Sequence, residues 1–160
     1  MAFNNPKDLF VKILSDVRES EYNLTTAFKE LRETAQDQRA KDILDSLVFL
    51  QDKNLATLDQ CFKLIGAQPV KTDDKFINMF LENFRKEFTE IQSPVAKTVF
   101  VFAKINHLIN FRISEYMTLI AMSKKSDYKG VGLLLNNVLA PRIEFLEYSR
   151  HKITDYVEKE

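Results

Sequence analysis

The stretch Phe10–Leu31, FVKILSDVRESEYNLTTAFKEL, decides the fold. Within it Phe10, Leu14, Val17, Glu21, Leu24, Phe28 and Leu31 recur at alternating steps of four and three. That spacing is the inward seam of a long helix packed against others. All members but one are large and apolar, and the middle one is a carboxylate. An acid at the centre of a buried stripe costs several kcal/mol, on the order of 3–5, unless its charge is answered. In helical bundles a metal ion held by inward carboxylates is the usual answer.

Working outward, the punctuation divides the chain into five helices. Asn5 and Pro6 supply an N-cap and a first-turn proline, with Asp8 placed to serve the orphan amides. The first helix then runs to about Ala35, and Asp37 caps the second. Gly66 is the expected left-handed stop, followed by Pro69. A shorter third helix spans about Thr72 to Ile91, with Asp73 and Asp74 favouring its start. Ser93-Pro94 opens a fourth helix that reaches about Ser123, and Lys124 to Gly130 turns the chain. The fifth fills the remainder and should be interrupted and kinked at Pro141, which has no amide to donate.

Two tight helical hairpins are thus joined by nearly thirty residues that contain the third helix. The expected fold class is all-α: a four-helix bundle of the first, second, fourth and fifth helices with one long crossover, which is ferritin-like topology. Residues 1–160 are expected to form a single domain.

Bulk properties exclude more than they suggest. Lys plus Arg equals Asp plus Glu at 23 each, which gives no expectation of nucleic acid or of an acidic membrane surface. The longest apolar run, Val99 to Ala103, is far short of the ~20 residues that span a bilayer. The polar start MAFNNP is unlike a signal peptide. A single cysteine, Cys61, cannot form an internal disulfide, which points to the reducing cytoplasm.

The other helices carry their own polar intruders. Gln51 is the one polar member of the seam Leu44, Val48, Gln51, Leu55, Leu58, Phe62 and Ile65. Arg142 interrupts Val131, Leu135, Val138 and Phe145, and the fourth helix holds Asn106, Asn110 and Arg112 near its midpoint. Counted from the two hairpin turns, all of these fall about half-way along the bundle. A central polar layer is the expectation.

The strings DLFVKILSDVRESEYNL, LATLDQCFKLIGAQP, ISEYMTLIAMSKK and LLLNNVLAPRIEFLE resemble the small bacterial ferritin-like proteins of the YciE/YciF type, over Asp8 to about Ser149. The resemblance implies a di-iron-type site of inward carboxylates and a histidine, and a stress-associated bacterial setting. Carried over residue by residue, only Glu21 matches. The family's Glu-x-x-His falls on Phe49 to Asp52, its carboxylates on the fourth helix fall on Ile109 and Arg112, and the paired acids of the fifth fall on Pro141 and Arg142. Independently of any alignment, the chain contains no Glu-x-x-His: His107 and His151 are preceded, three residues earlier, by Lys104 and Tyr148.

Guanidinium groups where metal cations would sit can hold carboxylates bidentately and do not lose their protons. Glu21 and Asp52 are therefore expected to pair with Arg112 and Arg142, around Gln51, as the polar core of a former metal site. The alternative is that both arginines snorkel to solvent. Phe76, Phe80, Phe84 and Phe88 stripe the third helix, either as core or as a candidate interaction face for a dimer or apolar ligand. Cys61 beside Phe62 reads as a small core residue, and the Lys124, Lys125 and Lys129 cluster as a solubilising turn. No glycine-rich phosphate loop and no nucleophile elbow occurs.

These residues favour a non-catalytic bundle without a cofactor, acting through self-association as a homodimer or by binding a protein partner. One alternative is a di-iron or manganese oxidase or ferroxidase using Glu21 with Asp52, Asp59, Glu115 or Glu144. Another is a carrier of an apolar small molecule between helices.

Overall fold

The computed structural model describes residues 5–73, 75–125 and 128–158. Five helices follow one another: α1 (Pro6–Thr34), α2 (Gln38–Ile65), α3 (Lys75–Glu90), α4 (Pro94–Lys125) and α5 (Lys129–Val157). Among the described residues there is no strand. The helix ends follow the capping chemistry. Asn5 accepts from the Asp8 amide at 2.9 Å and Asp37 from the Ala40 amide at 3.0 Å. Gly66 ends α2 at φ 63°, a left-handed conformation open to glycine without penalty. Ser93 caps α4 through the Ala96 amide at 3.2 Å.

The helix α3 begins at Lys75, a few residues later than Thr72; Asp74 and residues 126–127 of the last turn lie outside the described residues. The α5 helix is continuous from Lys129 to Val157 with Pro141 inside it, so the expected interruption does not occur. Packing on both sides of Pro141, by Val138 and Arg142, holds the backbone helical despite the lost bond. The carbonyl of Asn137 receives no helical hydrogen bond from position 141, because proline has no N–H.

The long helices α1 with α2, and α4 with α5, form hairpins that pack together as a ferritin-like four-helix bundle. The crossover is fastened to α1, where the Val70 amide donates to Ser15 Oγ at 3.0 Å. Helix α3 lies against α1 and α4. Arg85 grips Glu30 bidentately at 2.5 and 2.7 Å, and Lys104 reaches Glu87 at 2.5 Å.

Buried apolar side chains gather in two clusters. On α1 one cluster contains Phe10, Leu14 and Val17, the other Leu24, Ala27, Phe28 and Leu31. The same division runs through α2, where Leu44 and Leu47 belong to one and Leu58, Cys61 and Phe62 to the other. Glu21, Gln51, Arg112 and Arg142 occupy the gap on their respective helices.

The phenylalanine stripe of α3 is core. Phe84 is buried and stacks on Phe100 at 5.6 Å between ring centroids. Phe76 stacks on Phe111 at 4.3 Å, while Phe80 and Phe88 are half-buried against the same cluster. Of the candidate interaction face, Phe84 is buried within the chain, while Phe76, Phe80 and Phe88 pack against the same cluster with part of their surface exposed. Among the described residues no helix is long and apolar enough to cross a membrane.

Candidate functional site

Glu21 is brought to the centre of the bundle by the apolar residues one turn above and below it, and its side chain is fully buried. Arg142 reaches it from α5: Nη2 donates to Oε1 and to Oε2, each at 2.7 Å. Tyr116 on α4 adds a third hydrogen bond, its hydroxyl donating to Oε1 at 3.1 Å. Gln51 on α2 completes the layer. Its Oε1 accepts from Asn54 Nδ2 at 3.1 Å and, at the long limit of 3.5 Å, from Arg142 Nη2. One residue from each of the four bundle helices thus meets at one level.

The electrostatics follow from burial. Desolvation alone would lower the Arg142 pKa, but the Glu21 charge and Tyr116 more than offset it and the value is raised. The Tyr116 phenol is pushed well above its ordinary value, first by burial and then by the neighbouring Glu21 carboxylate. The guanidinium of Arg142 also lies over the Tyr116 ring, 5.2 Å from its centroid. A carboxylate, a guanidinium and a phenol meet there, with the guanidinium answering the charge of the carboxylate.

Arg112 is buried but does not join this set. Its Nη1 stands 2.7 Å from Glu115 Oε2, one turn along the same helix, and its guanidinium lies 4.6 Å from the Phe111 ring centre. Asp52 is a correction. It is exposed, because the step from Gln51 turns it about 100° away from the seam towards solvent. Asn110 is also exposed, donating to the Asn106 carbonyl at 3.0 Å, and so is outside the layer.

Tyr116 escaped the sequence reading. The signal was present as the α4 seam Phe102, Ile105, Ile109, Arg112, Tyr116, Leu119 and Ser123, again at steps of three and four. All of these are buried. Helix α4 is apolar on several faces, which hid that seam among its neighbours.

A di-iron site requires several anionic oxygens, with imidazole, to balance the metal charge. The central layer offers one carboxylate, one amide, one phenol and a guanidinium, and both Glu21 oxygens already accept from Arg142. This donor set does not fit a metal pair. The acids of the alternative ligand set are dispersed: Asp59 pairs with Arg18 at 2.6 Å, Glu115 with Arg112, and Asp52 and Glu144 are exposed. Among the described residues no group of three or more His, Cys, Asp or Glu side chains is placed to hold a metal ion. Both His107 and His151 are exposed. Burial pushes the Cys61 thiol up to about 12, so it is no thiolate nucleophile.

Fold and site together define a ferritin-like helical bundle with a charge pair at its centre. The chain belongs to the family described as "Domain of unknown function (DUF892)", whose profile matches residues 5–156. Its fold is that of the E. coli stress protein YciF, with a TM-score of 0.91 at 16% identity over 99% of this chain and 100% of that one. YcfI of Rhodopseudomonas palustris superposes with a TM-score of 0.86 at 21% identity, covering 92% and 94% of the two chains. A protein of Xanthomonas campestris gives 0.74 at 12% identity over 97% and 98%. No curated protein sequence matches.

Proposed function

We propose that this chain is a non-catalytic ferritin-like bundle in which the Glu21–Arg142 pair takes the place of a di-iron site, and that it acts by binding. The observation that carries this reading is the pair of 2.7 Å contacts from one guanidinium nitrogen to both Glu21 oxygens. A metal would have to displace a cation that does not deprotonate. The binding role is exercised as a homodimer or with a protein partner, in the cytoplasm. The single free cysteine fits that compartment. The likeness to the E. coli stress protein YciF supports a stress-associated setting.

The test is metal content. Protein is loaded anaerobically with Fe(II) or Mn(II), desalted and assayed for metal per chain. The reading expects essentially none, with the same result for Arg142→Lys. Stoichiometric metal, about two per chain as in di-iron bundles, would overturn it and restore an oxidase or ferroxidase. Light scattering checks the assembly, a mass of twice 18.7 kDa being the expected outcome.

A further inference from the structure

The two grooves between the hairpins differ in what lies over them. The α1–α4 groove carries the crossover, clasped at Ser15, and then α3 with its phenylalanine stripe. Helix α3 is not packed on α2 or α5, and the groove between those two opens as a cleft of about 500 Å³. Ile43 and Leu47 of α2 and Val138 and Phe145 of α5 line its sides, and Phe28 and Ile109 from the other two helices close its base. Such a volume and lining suit a small organic ligand with an apolar body.

The charges in the lining do not cancel. Arg142 is answered by Glu21, and Arg39 has Asp42 one turn along the same wall. Lys53 has no such neighbour. The positions three and four residues away, Phe49, Leu50, Ala56 and Thr57, include no acid, and Asp52 is turned from it by about 100°. Among the described residues Lys53 forms no ion pair, and it stands exposed at the rim of the cleft. The lining around it is polar but uncharged, with Asn54, Thr57 and Asn137. From Lys53 the apolar wall runs back through Leu50 and Leu47 to Ile43, about 15 Å along α2. An apolar wall that ends at one unmatched cation is complementary to a chain with a single negative head.

We propose that the α2–α5 cleft binds a single-chain fatty carboxylate, its alkyl chain lying along Leu50, Leu47 and Ile43 and its head group meeting Lys53 Nζ at the rim. The site goes beyond the binding role proposed above and needs no second chain, because every lining residue comes from one.

The experiment compares three probes of equal chain, decanoate, decanol and decylammonium, by titration into ¹⁵N-labelled full-length protein at low salt. Decanoate should bind at least about threefold more tightly than decanol, as for a partly exposed ion pair, and decylammonium should bind most weakly. Decanoate and decanol should both move the backbone amide resonances of Ile43, Leu47 and Val138. The advantage of decanoate over decanol should shrink as salt is raised. Lys53→Gln, at an exposed position, should abolish that advantage and leave decanol binding unchanged, and Lys53→Glu should make decylammonium the tightest of the three. Ile43→Trp should weaken all three by filling the cleft. Equal affinity for decanoate and decanol, or a preference for decanoate that survives Lys53→Gln, would overturn the proposal. So would binding of none of the three; if Ile43→Trp then also changed the mass seen by light scattering, the cleft would be a contact with a second copy of the chain. Metal loading does not enter these readouts, so failure here is distinct from failure of the non-catalytic reading.

Discussion

Two buried arginines at one level of the bundle meet their charge in opposite ways. Arg142 reaches across the core to a carboxylate on another helix, shares it with a tyrosine from a third, and borders an amide from a fourth. Arg112 turns back to Glu115 on its own helix, and its three guanidinium nitrogens are buried without a well-directed hydrogen bond. Glu115 itself is 24% exposed, whereas Glu21 is fully buried. The first arrangement ties helices together and cannot be opened without stranding a charge. The second pair lies within one helix, and its acid is partly exposed although the paired oxygen is itself buried.

That contrast is most exposed to refutation by removing each arginine in turn. Arg142→Met should cost about 3–5 kcal/mol, the cost of leaving a buried carboxylate unanswered. Urea midpoints at constant m give the measurement. A loss below about 1 kcal/mol, the range of an exposed pair, would make Arg142 no different from a surface arginine.

Removing the hydroxyl of Tyr116 probes the same cluster more gently. Tyr116→Phe should cost about 1 kcal/mol, since Glu21 keeps both contacts from Arg142. It also has a pH signature. Below pH 10 the phenol is protonated in both states. Above it the unfolded chain releases the proton while the raised folded pKa retains it, so stability falls as pH rises past 10. The Phe variant should show an alkaline limb shallower by one proton, and an unchanged limb would place the phenol in ordinary surroundings.

Arg112→Met should cost about 1 kcal/mol or less, because Glu115 rehydrates and the poorly bonded guanidinium is no longer buried. A loss matching that of Arg142→Met would erase the distinction between the two sites. Smallest of all, Asp52→Asn should change stability by no more than about 0.5 kcal/mol, as expected for an exposed position. A larger loss would return Asp52 to the core.

Much of this was legible along the chain. Asn5, Asp37 and Gly66 punctuate the helices through local chemistry, which a sequence carries in full. The α1 seam is equally explicit, since every member from Phe10 to Leu31 is buried. The pairing within the polar layer was less so. Residue spacing sets Glu21 and Arg142 at one height, but which arginine reaches which acid depends on how the two hairpins rotate against each other. Asp52 shows the limit: one residue from a buried glutamine, it differs from it by a single 100° step. The stripe on α3 shows another, because amphipathicity tells that a face is covered and not by what.

The central claim is that Glu21 and Arg142 are one unit. A double-mutant cycle built from Glu21→Met, Arg142→Met and the combined variant, read by urea unfolding, tests it most directly. The account predicts two large single losses, a double variant no less stable than either single variant, and hence a coupling of at least about 3 kcal/mol. Additive losses within about 0.5 kcal/mol would contradict it, showing two residues that share a layer without answering each other's charge.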